Sequence, residues 1–204
     1  MGFLGANAVF LGTDPDEAGY GMGWGSRTIA LVSLAMVVIG CLGSTATPRL
    51  AGRVGDKTML ALGGAVCAAG FLTMTAGNGS AAPYLVGALL VGLATGIFEA
   101  VTRTLAAEVV DEDETALSVG LNELALSLGA AIGAAVIGAL FAAHHSTAPG
   151  GPLTLAAFRW SWSVCAGVAL LGAVVGLAFR HGTAGHGRTP VRPAQPLTRN
   201  GDAV

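Results

Sequence analysis

The chain has 204 residues, of which 53% are hydrophobic and 11% are charged, and its mean hydropathy is +0.69. Soluble domains carry about 25% charged residues, so this composition excludes an ordinary soluble protein. The net charge of −2 gives no basis for binding nucleic acid. Cys41, Cys67 and Cys165 lie in apolar stretches without the spacing of a zinc site, so we interpret them as small apolar residues and expect no metal and no cofactor.

The first predicted element is a partial helix at the N-terminus. The stretch MGFLGANAVFLGT is apolar but too short to cross a bilayer. We interpret it as the end of a helix whose first half is missing. The polar, glycine-containing segment Thr13–Ser26 that follows is predicted to be an outer loop.

Five apolar stretches follow, each with the roughly 20 residues that a helix needs to cross the hydrocarbon core. They are Ile29–Thr47, Thr58–Ala76, Tyr84–Ala107, Leu117–Ala142 and Phe158–Phe179. Backbone in lipid must satisfy its own hydrogen bonds, so each stretch is predicted to be a helix. The predicted fold is an all-α polytopic transmembrane helix bundle over residues 1–180, followed by a disordered tail over residues 181–204 that is rich in Gly and Pro.

Basic residues predict the orientation. Arg49, Arg53 and Lys57 lie between the first two spans, and the tail carries further arginines, whereas the connection at residues 77–83 has no charge. The positive-inside rule makes the basic segments cytoplasmic, so we expect a multi-pass protein of the plasma membrane with a cytoplasmic tail. The aromatic residues at the predicted outer ends, where such rings favour the interface, are Tyr20, Trp24, Tyr84, Trp160 and Trp162.

Ionisable residues inside the spans are the candidate functional sites, because charge there is costly and usually functional. Glu99 and Arg103 are one helical turn apart in the third span, in the order that favours an ion pair. Asn122 and Glu123 lie at a similar depth in the fourth span. One interpretation is that Glu99 and Arg103 neutralise each other and Glu123 sits at headgroup level. The other is that all four line a path for substrate and protons. No span carries a catalytic motif, so an enzyme is not expected.

Glycines mark the fourth span as a packing surface. Gly120, Gly129 and Gly133 lie among alanines, and the last two form a GxxxG pair, which lets helices approach closely. We expect them to pack helices together. A sliding contact in a protein that changes shape is the alternative.

The segment PRLAGRVGDK contains the basic residues Arg49, Arg53 and Lys57. It resembles the short cytoplasmic loop of the major facilitator superfamily. Arg53, Gly55 and Lys57 match that family's pattern. Positions that hold a Gly, an acid and a base in the family are occupied here by Pro48, Gly52 and Asp56.

A second resemblance concerns the fourth span. Gly120, Gly129 and Gly133 are similar to the glycine pattern of antiporters in this superfamily, with Ala134 at the position of a proline. By both resemblances the chain is similar to the C-terminal half of a drug/proton antiporter. The fold that this implies is half of a major facilitator superfamily fold.

The resemblance implies proton-coupled efflux of small molecules by alternating access between two six-helix halves. It also implies the partners: membrane lipid, a small-molecule substrate, protons, and either a missing N-terminal half or a second copy. The chain would then be a truncated or split half. The alternative function is a non-transporting membrane scaffold or an inactive transporter remnant.

Overall fold

The computed structural model describes residues 2–108, 114–144 and 153–178. The predicted tail at residues 181–204 lies outside this part of the chain. The described elements are α1 (Gly2–Gly12), α2 (Pro15–Ala18), α3 (Ser26–Val54), α4 (Asp56–Ala76), α5 (Ala81–Glu108), α6 (Thr115–Ala143) and α7 (Leu155–Ala178).

The five long helices, α3 to α7, are each long and apolar enough to cross a membrane. They coincide with the five predicted spans, and α1 coincides with the predicted partial helix. The prediction of a polytopic helical bundle is therefore confirmed.

The connection between α3 and α4 is shorter than predicted. The sequence predicted a loop over Pro48–Lys57, but α3 continues through Pro48 to Val54 and α4 begins at Asp56. Proline removes one helical hydrogen bond, which membrane helices tolerate when neighbouring groups compensate. Gly55 alone makes the turn, with φ of 85° and ψ of 150°, a conformation that residues with a Cβ rarely adopt. The predicted loop is thus reduced to a single residue.

The packed part of the bundle contains four helices. In it α3 packs against α5, α5 against α4, and α4 against α7. Glycine permits the closest approaches. A Cβ added at Gly70 of α4 would lie 2.7 Å from the carbonyl oxygen of Gly87 on α5, and one added at Gly87 would lie 2.6 Å from that of Gly70. Likewise, a Cβ at Gly64 would lie 2.8 Å from the carbonyl oxygen of Ala169 on α7. Small residues therefore bring these helix backbones together, as expected where dispersion forces drive membrane packing.

An aromatic cluster fills the end of the bundle opposite the Gly55 turn. The ring of Phe10 on α1 stacks on Tyr84 at a centroid distance of 5.1 Å and meets Trp162 edge-on at 5.0 Å. Tyr84 and Trp162 are 0% and 1% exposed, so their rings are buried inside the protein, where both pack against Phe10 of α1. Trp160 is 56% exposed, and its position fits the interface.

Helix α6 stands at the edge of the bundle. Every residue from 123 to 136 is exposed. The helix contacts its neighbours near its two ends. Near the N-terminus of α6, Ser118 Oγ donates a hydrogen bond of 2.6 Å to the carbonyl oxygen of Ala106 on α5. Near its C-terminus, the ring of Phe141 packs against Phe158 on α7 at a centroid distance of 5.0 Å. The middle of α6 consequently presents all its faces to lipid or to a partner.

Candidate functional site

Two of the predicted site residues meet across the α5–α6 contact. Arg103 Nε donates a hydrogen bond of 2.9 Å to Oε1 of Glu123. The two side chains are 54% and 47% exposed, so the pair lies on the surface of the chain. Because Arg103 bonds Glu123, the direct pair with Glu99 that one interpretation required is not found among the described residues. Glu99 adds only a longer-range attraction to Arg103.

Asn122 precedes Glu123 and is partly buried. Its side-chain Nδ2 is shielded from solvent and has no hydrogen-bond partner in the part of the chain that the structure describes. An unpaired amide in an apolar setting costs free energy. Asn122 therefore offers a free donor next to the Arg103–Glu123 pair.

Glu99 faces a different space, a cleft of about 550 Å³ between α3, α4 and α5. The apolar part of its lining includes Met36, Val37, Phe71 and Val91. Glu99 is the charged residue among the described residues that line the cleft. The four predicted polar residues are thus divided between two places: Glu99 in the cleft, and Arg103, Asn122 and Glu123 at the α5–α6 contact.

Sequence reasoning missed most of the polar lining of the cleft. Hydroxyl groups come from Ser44 and Thr45 on α3 and from Thr95 on α5, one turn before Glu99. Cys41 and Cys67 also line the cleft. Cys41 is exposed and Cys67 is partly buried. The signal was present in the sequence, because Cys41 and Ser44, like Thr95 and Glu99, are spaced to share one helix face.

Another missed residue is Asn7 on α1. It is 5% exposed, and neither its Nδ2 nor its Oδ1 has a hydrogen-bond partner within the described residues. A lone amide in an apolar stretch can be seen in the sequence. The stretch was too short for its faces to be assigned.

The predicted inner motif is divided between two helices. Arg49, Gly52 and Arg53 lie in the last turns of α3, and Asp56 and Lys57 lie in the first turn of α4. A cation at a helix C-terminus and a carboxylate at an N-terminus both interact favourably with the helix dipole. Arg53 and Asp56 are placed in that way, on either side of the Gly55 turn.

The glycines of α6 make no close contact within the chain. A Cβ added at Gly120, Gly129 or Gly133 would meet nothing within 4 Å. The packing expected of them is therefore absent among the described residues, and close helix approach occurs at the glycines of α3, α4 and α5 instead. The physical reason is the edge position of α6, which leaves these glycines with no neighbouring helix.

Comparison with known proteins gives one family. A family model for the Major Facilitator Superfamily matches residues 2–201, which is almost the whole chain. Searches of curated proteins and of solved structures gave no match. The five membrane-crossing helices and the match together establish that the chain belongs to the Major Facilitator Superfamily and is a multi-pass protein of a membrane-transport family.

Proposed function

We propose that the chain forms the C-terminal half of a proton-coupled secondary transporter that exports small amphipathic molecules by alternating access. The observation that carries this proposal is the position of Glu99. This carboxylate lies on α5, a membrane-crossing helix, and lines a mostly apolar cleft. Charged residues within membrane-crossing segments are rare and mark substrate, ion and proton pathways. The Glu99 carboxylate can also attract a cationic group of a ligand.

The cleft has the composition expected for a tolerant binding site. Ligand sites are usually mostly apolar, with a few polar groups that fix orientation. Phe71 and Val91 offer apolar contact, while Thr95 and Glu99 offer polar groups one helical turn apart. Its volume of about 550 Å³ lies within the usual range for small-molecule pockets. The size and lining support a small amphipathic ligand.

The open faces of α3 and α6 support a partner bundle. Large apolar side chains are exposed along both helices, among them Leu34 and Val38 on α3 and Leu124 and Leu128 on α6. Exposed apolar area of this extent is typical of surfaces that contact lipid or protein. We propose that a second half, either other helices or a second copy, closes the cleft from this side. The Arg103–Glu123 pair and Asn122 would then face the path between the halves.

The charge distribution supports an orientation in the plasma membrane. Arg49, Arg53 and Lys57 lie at the end of the bundle where α3 meets α4. The positive-inside rule makes this end cytoplasmic, together with the C-terminal tail.

The test is dye transport in vesicles under an imposed pH gradient, with the chain reconstituted alone and with a co-expressed six-helix N-terminal bundle. We expect proton-coupled movement of a fluorescent cationic dye only with the bundle present. Glu99→Gln should abolish the dependence on the pH gradient. Glu17→Gln, which removes an exposed carboxylate in α2, should not.

Three outcomes would count against the proposal. Coupled transport by the chain alone would contradict the half-transporter assignment. Absence of transport with the bundle present, and with both parts folded, would contradict the transport function. Equal coupling in wild type and Glu99→Gln would remove Glu99 from the proton path.

A further inference from the structure

A second cavity lies at the opposite end of the bundle from the Gly55 turn. It has a volume of about 380 Å³ and is formed between the end of α4 and the beginning of α7. Its lining consists of Thr75, Leu155, Ala156, Arg159, Trp160 and Ser163. None of these residues lines the cleft that contains Glu99. The cavity is therefore a separate feature of the molecule.

The position of this cavity corresponds to headgroup depth in a bilayer. Thr75 is the penultimate residue of α4, and Arg159 lies in the second turn of α7. Residues at the ends of membrane-crossing helices lie at the membrane–water interface, where Trp and Arg are favoured. Trp160 is 56% exposed beside the cavity. A lipid headgroup can thus reach the cavity from the surrounding membrane.

The chemistry of the cavity favours an anion. Among the described residues, no carboxylate lies within ion-pair distance of Arg159 and none lines the cavity. Its two hydroxyl groups already donate to backbone: Ser163 Oγ to the carbonyl oxygen of Arg159 at 2.7 Å, and Thr75 Oγ1 to that of Phe71 at 2.9 Å. The guanidinium of Arg159 is the charged donor in this lining, and its planar fork suits phosphate oxygens.

Two further features of the cavity favour the phosphate group of a lipid. Leu155 and Ala156 are the first residues of α7, where the helix dipole is positive. They also give the cavity an apolar wall, together with the ring of Trp160. A free phosphate ion gains nothing from an apolar wall, whereas the glycerol and upper acyl carbons of a phospholipid would be buried against it.

We infer that this cavity is a binding site for the phosphate group of an anionic phospholipid, with Arg159 as the residue that bonds the phosphate. The site is independent of the cleft and of what the protein transports. Its ligand is a phospholipid of the membrane leaflet on the side where α3 and α7 begin.

The test is native mass spectrometry of the full chain in detergent, titrated with phosphatidylglycerol, phosphatidylcholine or diacylglycerol. We expect one tightly retained phosphatidylglycerol, with weaker phosphatidylcholine and no retained diacylglycerol. Arg159→Gln should lower the affinity for phosphatidylglycerol by about fivefold, the effect of one basic residue near anionic lipid. Arg159→Lys should retain more binding than Arg159→Gln, because it keeps the charge but loses the fork.

Arg27→Gln is the matched control, because Arg27 is exposed in the first turn of α3 at the same end of the bundle and lines neither cavity. It removes the same charge and should leave the tightly retained lipid in place. Equal losses in Arg159→Gln and Arg27→Gln would overturn the inference, since they would indicate general attraction to anionic lipid. Unchanged binding in both Arg159 variants would also overturn it. Inorganic phosphate that displaces the lipid at equal concentration would indicate a free-anion site instead.

Discussion

Arg103 on α5 and Glu123 on α6 are joined by a hydrogen-bonded ion pair of 2.9 Å, although a glutamate one turn from Arg103 on its own helix was available. The pair ties the N-terminal part of α6 to α5, together with the hydrogen bond from Ser118 to the carbonyl oxygen of Ala106. It also leaves Glu99 without a bonded cation among the described residues.

Loss of the Arg103–Glu123 ion pair should weaken the contact between α5 and α6. We predict that Arg103→Gln and Glu123→Gln each destabilise the protein by less than about 1 kcal/mol, because both side chains are about half exposed. A double-mutant cycle should give a coupling energy of about 0.5 kcal/mol. Thermal unfolding in detergent measures these values. The same cycle with Glu99→Gln in place of Glu123→Gln should show a smaller coupling, and a larger one would mean that Glu99 is the partner.

Glycine positions should differ sharply in their tolerance of a methyl group. Gly87→Ala places a Cβ 2.6 Å from the carbonyl oxygen of Gly70, so we predict a loss of about 1 to 3 kcal/mol from overpacking. Gly133→Ala meets nothing within 4 Å and should be neutral or slightly stabilising, since alanine favours helix more than glycine does. The measurement is thermal unfolding of the chain alone in detergent. A large loss in Gly133→Ala would show that α6 packs against another helix.

Thiol labelling should report on the cleft. Cys41 and Cys67 line it, whereas Cys165 is partly buried outside it on α7. In variants that keep one cysteine each, we predict fastest reaction of Cys41 with an apolar maleimide, because Cys41 is the exposed thiol. A bound cationic dye should slow labelling of Cys41 and leave Cys165 unchanged. Equal protection of Cys41 and Cys165 would indicate a general effect of the dye on the protein rather than occupancy of the cleft.

Tyr20 should make stability depend on pH in the alkaline range. Burial raises the pKa of Tyr20 above its ordinary value, and a hydrogen bond with Thr13 opposes part of that rise. Its hydroxyl donates to the carbonyl oxygen of Leu153. Since the folded state favours the protonated phenol, this stabilisation is complete below about pH 10 and is lost as the pH rises through the raised pKa.

The Tyr20→Phe variant tests that expectation. It should unfold about 1 kcal/mol more easily at neutral pH, because the hydrogen bond to Leu153 is lost. Above about pH 10 the difference from wild type should shrink, since only wild type has the Tyr20 hydroxyl to ionise. Unfolding temperatures at neutral and alkaline pH measure both effects. A constant difference across this range would contradict the assigned role of Tyr20.

Hydropathy was enough to predict the number and order of the spans, because lipid permits few backbone structures. It could not locate where helices touch. Gly133 and Gly87 look alike in the sequence, yet only Gly87 lies against a neighbouring backbone. Likewise, the distance between Glu99 and Arg103 along the helix favoured a pair, but the partner of Arg103 came from another helix. Contacts between helices depend on how each helix is rotated about its axis, and apolar stretches that are hydrophobic on all sides contain little information about rotation.

The Gly55 turn has a mechanical consequence. Consecutive Cα atoms are about 3.8 Å apart, so a one-residue link prevents the C-terminal end of α3 and the N-terminal end of α4 from separating. The close glycine contacts extend this connection along the helices, because Gly70 of α4 lies against Gly87 of α5 and Gly40 of α3 lies against Gly92 and Gly96 of α5. Helix α6 has no such glycine contact among the described residues, since a Cβ added at any of its glycines would meet nothing within 4 Å, and it is held mainly near its two ends.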